Sequence, residues 1–154
     1  MAVSGPNGED LPGAVLFACS LNAIRSPMAA SLMKHLYGTQ VYVESCGVRA
    51  GTLDPLAVAV MEEIGIDLSH FQPKSFETLA DTSFDLIVTL SPQARHKALE
   101  LTRAMAVEVE YWKVPDPSAC EGSREQRLAA YRDARDNILR FIKEHFAGRP
   151  MTGF

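Results

Sequence analysis

The sequence predicts an α/β protein, a three-layer α/β/α sandwich around a central four-stranded parallel sheet. Three observations carry this. Short strand-like runs at 14–18 (AVLFA), 41–44 (VYVE), 84–90 (FDLIVTL) and 107–111 (VEVEY) alternate with stretches of helical period. The first run is apolar without interruption, the pattern of a strand covered on both faces. Ser26-Pro27, Asp54-Pro55 and Ser91-Pro92 each join an N-cap residue to a proline that suits the first helical turn. Strands alternating with helices build βαβ units with right-handed crossovers.

Residues 1–13 are polar and expected to form a flexible lead, 14–147 a single domain, and 148–154 a flexible tail. After the first strand, Met28, Ala29, Leu32, Met33 and Leu36 recur at helical spacing, and Gly38 is a fitting stop. The second strand precedes a helix from Asp54-Pro55 with Leu56, Val60, Met61 and Ile64 on its apolar side, ending at Gly65. Residues 67–82 read as loop with a short helical turn. The third strand leads through Ser91-Pro92 into a helix reaching about Arg103, and the fourth leads into the loop WKVPDPSACEG. Ser123 and Gln126 form a capping-box pattern. The last helix carries Leu128, Tyr131, Ile138, Leu139, Ile142 and Phe146, and its charged side reads as a solvated face.

At 154 residues, with 47% hydrophobic and 22% charged residues, the chain is long enough for one buried core. A net charge of −4 argues against a general nucleic-acid binder. No apolar run approaches the roughly 18 residues a membrane span needs, and the N-terminus lacks a signal-peptide pattern. Three cysteines (Cys19, Cys46, Cys120) do not make a disulfide framework, so the expected compartment is the cytoplasm with thiols reduced. His35, His70, His96 and His145 share no metal-ligand spacing with the cysteines; His70 alone falls near a loop of the expected site.

In open parallel sheets ligands bind beyond the carboxyl ends of the strands, and Cys19 leaves the first strand there. Cys19 and Arg25 at this spacing are a weak signal alone, since free cysteine is often buried and inert. Their setting between a buried strand and a Ser-Pro helix start is more informative. Loop N–H groups and a helix N-terminus cradle an anion. A guanidinium binds two oxygens of a tetrahedral oxyanion at once. The same positive field favours the thiolate, which facing a bound phosphate is a nucleophile.

The segment C-S-L-N-A-I-R-S-P at 19–27 is similar to the phosphate-binding loop of the low-molecular-weight protein tyrosine phosphatases and of the related thioredoxin-coupled arsenate reductases. The resemblance spans about 14–146 and includes E-S-C-G-V at 44–48, E-I-G-I-D-L-S-H at 63–70 and Asp116-Pro117. It implies Cys19 as phosphoryl-accepting nucleophile, Arg25 as binder of the equatorial oxygens, and Asp116 as general acid, then base toward water. It implies a phosphate-binding set of Ser20, Leu21, Asn22, Ala23, Ile24 and Arg25, with Asn22 left-handed. Ser26 would hydrogen-bond the nucleophile, and Ser45 would brace the loop through Asn22; the simpler readings are a helix cap and a turn residue. No cofactor or metal is implied. The expected partner is a phosphorylated protein or small aryl phosphate, with phosphate or sulfate ion in the loop, and no nucleic acid or membrane.

The chain departs from the family pattern at Leu21, where glycine is usual, and at Ile24, where many members carry a second cysteine. Leu21 is expected to narrow the pocket mouth, and to strain the loop if the position takes positive φ. Flanking aromatics are missing: Asp116-Pro117 runs into Ser118-Ala119, and 46–50 reads CGVRA. Trp112 either stacks on a substrate ring or packs against the sheet edge. The main reading is a phosphomonoester hydrolase working through phosphocysteine. An arsenate reductase is the rival, although T-L-S-P-Q-A-R-H-K at 89–97 has no cysteine where thioredoxin-coupled enzymes carry two. Cys46 and Cys120 are then either resolving thiols or packing residues. A third reading is an oxyanion sensor without turnover.

Overall fold

The computed structural model describes residues 3–4, 10–79 and 83–146. The central sheet contains β3 (Ala14–Cys19), β4 (Tyr42–Gly47), β5 (Leu86–Thr89) and β6 (Glu108–Tyr111), parallel throughout and ordered β4-β3-β5-β6. A separate two-residue antiparallel pair joins β1 (Val3–Ser4) to β2 (Asp10–Leu11). The helices are α1 (Arg25–Tyr37), α2 (Pro55–Glu62), α3 (Pro92–Leu101) and α4 (Arg124–His145), with a 3₁₀ turn η1 at Pro117–Ala119.

Alternation along β3 sets the layers. Val15, Phe17 and Cys19 face a core shared with α1, α2 and α4, whereas Leu16 and Ala18 face a smaller core closed by Ala94 and Ala98 of α3. The chain passes from β3 to β4 on one side, then crosses to β5 on the other. Cys19 therefore ends the strand at which the sheet order reverses, where such sheets form a crevice.

Of the lead expected at 1–13, residues 1–2 and 5–9 lie outside the described residues. Leu11, ahead of Ala14, is fully buried in the larger core. Burying a leucine is worth about 1.5–3 kcal/mol, enough to hold a short segment down. The tail expected at 148–154 lies outside the described residues. Trp112 takes its packing role: it is buried edge-on to Phe17 and stacked on Phe141, with its indole N–H donating to Glu110. His70 is solvent-exposed and sits 3.9 Å from Asp67, away from the pocket. Among the described residues no helix is long and apolar enough to cross a membrane, and no cluster of three or more His, Cys, Asp or Glu is arranged to hold a metal.

Candidate active site

The loop after β3 is pinned from both sides. Val48 N–H donates to the Cys19 carbonyl, Arg49 N–H to Ser20 and Gly51 N–H to Leu21, so 47–51 runs alongside the loop. Gly47 permits this approach. A β-carbon there would lie 2.7 Å from Asn22 N and 2.8 Å from Leu21 C, both backbone atoms that cannot step aside. On the other flank, Ser20 Oγ donates to Ser91 Oγ at 3.0 Å, and Ser91 caps α3 by accepting from Ala94 N–H.

Asn22 is the one non-glycine residue with positive φ among the described residues, at 55°. Its side chain stabilises that conformation three ways. Nδ2 donates to Ser26 Oγ (2.8 Å) and Ser45 Oγ (3.1 Å), and Oδ1 accepts from Lys74 N–H (2.9 Å). Leu21 does not take positive φ, so the strain expected there is absent; its side chain stands 41% exposed at the pocket mouth.

The helix starts two residues earlier than Ser26-Pro27 suggests, and this corrects the expected cap. Ile24 is the N-cap, no side chain caps the helix, and the first turn has no acidic residue. Ser26 is fully buried within the first turn, its oxygen 2.9 Å from Cys19 Sγ and 3.3 Å from the Cys46 carbonyl. Asn22 N–H also donates to Cys19 Sγ at 3.2 Å. The sulfur thus has two hydrogen-bonding partners, and the uncapped N-terminus of α1 leaves its orphan N–H groups and positive dipole end for an anion.

Arg25 is 9% exposed. Its Nη1 donates to the carbonyls of Leu90 and Val114, each at 3.0 Å, and its Nη2 stands 3.8 Å from Asp116 Oδ2. Asp116 caps η1, with Oδ1 accepting from Ser118 N–H and Ser118 Oγ. Together these groups enclose a pocket of about 70 Å³ walled by Cys19, Ser20, Leu21, Ala23, Ile24 and Arg25 of the loop and by Asp116 and Ser118. A larger cavity of about 220 Å³ among Leu16, Phe76, Ile87 and Met105 has no charged side chain, whereas the smaller pocket gathers Arg25, Asp116 and the Cys19 thiol.

Of the residues singled out in sequence, the pocket brings together Cys19, Arg25, Asp116, Ser20, Leu21, Ala23 and Ile24, with Asn22, Ser26 and Ser45 buried behind it. Cys46 lies on the opposite face of the sheet from Cys19, fully buried with Leu16 and Ala98. Burial pushes its thiol above the usual range, and Cys19 nearby acts in the same direction. Cys120 is half-buried beyond η1, its sulfur near the Glu121 and Gln126 carbonyls.

Several contributors have no local sequence signal. Gly47, the Lys74 amide and the Leu90 and Val114 carbonyls act through backbone atoms brought in by the fold. Tyr131 donates to Asp54 Oδ2 at 2.7 Å, while Asp54 caps α2 and its N–H holds the Ala23 carbonyl, which ties α4 to the loop. Burial and that hydrogen bond hold the Tyr131 phenol well above its ordinary pKa, so it remains a donor. Gly47 lies within the quoted E-S-C-G-V, but nothing in those five residues marks its close approach to the loop.

Residues 14–147 match the model of the low molecular weight phosphotyrosine protein phosphatases. An arsenate reductase from Bacillus subtilis is 34% identical over 130 residues, 84% of this chain and 92% of that protein. The solved structure of an arsenate reductase in its phosphate-binding state superposes with a TM-score of 0.73 at 28% identity, covering 87% of this chain and 96% of the other. The tyrosine phosphatase Wzb from Escherichia coli K30, solved with sulphate, shares the fold at a TM-score of 0.66 and 19% identity, covering 88% of this chain and 99% of its own.

Proposed function

The chain belongs to the low molecular weight phosphotyrosine protein phosphatase family, and from that premise we propose that it hydrolyses phosphomonoesters through a phosphocysteine. The observation that carries this reading is the placement of a carboxyl group, Asp116, 3.8 Å from the oxyanion-binding Arg25 at the mouth of the pocket that contains Cys19. Binding an oxyanion needs no such group; expelling an alkoxide or phenoxide does.

The steps follow from the positions. The phosphate sits on the loop amides, the N-terminus of α1 and Arg25, and Cys19 Sγ, within hydrogen-bonding distance of Asn22 N–H and Ser26 Oγ, attacks phosphorus as a thiolate. The S–P bond forms as the P–O bond breaks, and Asp116 gives its proton to the leaving oxygen. The resulting carboxylate takes a proton from water as that water attacks phosphorus and frees Cys19. Arg25 stabilises the charge on the equatorial oxygens in both steps, a role worth about 2.7–4 kcal/mol per well-placed donor.

Arsenate reduction is the second reading, and the relatives support it more directly than the first: the Bacillus subtilis protein, 34% identical, carries that name. It requires two electrons per arsenate, from Cys19 and a second thiol that attacks the Cys19 sulfur, forms a disulfide and releases arsenite. Cys46 is ill-suited to that attack, being fully buried on the far face of the sheet, and Ser91 stands at the start of α3. The second thiol is then Cys120 or a diffusible one such as glutathione.

A side-by-side assay tests both. Purified protein is offered p-nitrophenyl phosphate and a phosphotyrosyl peptide without added reductant, and arsenate with thioredoxin or glutaredoxin–glutathione systems. Ester hydrolysis that disappears in Cys19→Ser, while phosphate binding persists, is the expected result. Turnover confined to the arsenate arm overturns the first reading in favour of the second. Phosphate binding with no turnover in either arm leaves a sensor.

A further inference from the structure

The two oxygens of Asp116 are not equivalent. Oδ1 accepts two hydrogen bonds from Ser118, 2.9 Å from its N–H and 2.7 Å from its hydroxyl. Among the described residues Oδ2 accepts none, and it is the oxygen that stands 3.8 Å from Arg25 Nη2. A carboxyl proton goes to the oxygen not already taken by donors. The Asp116 side chain is 45% exposed and a carboxylate torsion is broad and two-fold, so beside the 3.8 Å ion pair to Arg25 the only hydrogen bonds among the described residues that hold the group from turning toward solvent are those from Ser118. Ser118 itself lines the pocket.

We infer that Ser118 is a positioning residue for Asp116: by occupying Oδ1 it places the transferable proton on Oδ2, at the Arg25 side of the pocket. This rests on the phosphatase reading and adds to it a residue that fixes which oxygen gives and which takes the proton. The backbone N–H supplies half of the anchor whatever the side chain, so the hydroxyl is the part a substitution can remove.

The test compares kcat/KM on phenyl phosphate, a poor leaving group, with p-nitrophenyl phosphate, a good one. Ser118→Ala is expected to fall about tenfold on the phenyl ester, within what a misplaced catalytic group costs, and less than about twofold on the nitrophenyl ester. Ser118→Thr, which keeps the hydroxyl, restores the phenyl ester rate. In an Asp116→Asn background, Ser118→Ala has no further effect. Equal loss on both esters, failure of threonine to rescue, or added loss in the Asp116→Asn background overturns the assignment. A parent that discriminates the esters and an Asp116→Asn variant that loses both equally would instead remove Asp116 as the acid. A parent inactive on both would remove the phosphatase reading, and Ser118 with it. Thermal midpoints of the variants equal to the parent's keep folding out of the comparison.

Discussion

Arg25 Nη1 donates to the carbonyl of Leu90, 65 positions away in sequence, at 3.0 Å. The same nitrogen donates to Val114, so one guanidinium nitrogen fastens the loop to the segments leaving β5 and β6. The opposite nitrogen, Nη2, points toward Asp116. The division of labour depends on the planar fork, which lysine lacks. Arg25→Lys is expected to lower kcat/KM for p-nitrophenyl phosphate by about 10²–10³-fold. It should also destabilise by about 1–3 kcal/mol, because two buried carbonyls lose their donor. Steady-state kinetics and urea melts read both; a variant with full activity would show that the charge alone suffices.

Gly47→Ala tests the contact between strand and loop. The added methyl has no flexible neighbour to displace, only the Arg49, Asn22 and Leu21 backbone. Expected is a loss of about 1–3 kcal/mol in stability, as for other overpacked sites, together with weaker phosphate binding. Calorimetric titration with phosphate and a thermal melt check this. Unchanged binding in a destabilised variant would separate the packing of Gly47 from the shape of the loop.

Leu21→Gly addresses the residue that most sets this pocket apart from its family pattern. Leu21 is not held at positive φ, so glycine relieves no strain and its backbone freedom is expected to cost about 0.5–1 kcal/mol. The gain is room at the mouth. KM for naphthyl phosphate should fall by about threefold relative to p-nitrophenyl phosphate, in keeping with the modest selectivity of an apolar wall. Identical ratios in parent and variant would mean that Leu21 does not gate the pocket.

Glu63 provides a pH handle remote from the site. Arg132 grips its carboxylate through Nε and Nη2, and Arg135 adds a third nitrogen. The hydrogen bond from Arg132 leads in holding the Glu63 pKa below its usual value, with Arg135 assisting. A lowered folded-state pKa means stability that is fully present above the ordinary carboxylate range and is lost as pH falls through the folded value. Glu63→Gln should therefore melt below the parent near pH 7, with the gap closing below about pH 4. The effect is small, because the pair is solvent-screened. A gap that widens on acidification contradicts the assignment.

The layer order and the loop were legible because they are written locally: apolar runs of strand length, N-cap–proline pairs, and the nine residues from Cys19 to Pro27. Ser26 shows the limit of that reading. Ser-Pro at a strand-to-helix junction has the form of a cap, yet its hydroxyl lies within hydrogen-bonding distance of the sulfur, and the helix begins uncapped at Arg25. The sequence pattern is the same whether the orphan N–H groups serve a serine or an anion. Gly47, Lys74, Leu90 and Val114 were invisible for another reason. They contribute an absent side chain, an amide and two carbonyls, groups whose importance depends on what the fold brings opposite them. Leu11 was missed because a polar neighbourhood masked one apolar residue with a core position to fill.

Ser26 has a single proton and more than one place to put it. Asn22 Nδ2 donates into its oxygen, which leaves the hydroxyl hydrogen to choose between Cys19 Sγ at 2.9 Å and the Cys46 carbonyl at 3.3 Å. A charged sulfur draws that hydrogen to itself. A sulfur capped by a covalent bond to phosphorus is a feeble acceptor, and the carbonyl then wins. On the proposed mechanism the hydroxyl would be a one-bit memory of the nucleophile, flipping by rotation about one bond as the sulfur is loaded and cleared. Its state is held out of sight, on a fully buried side chain between the ends of two strands.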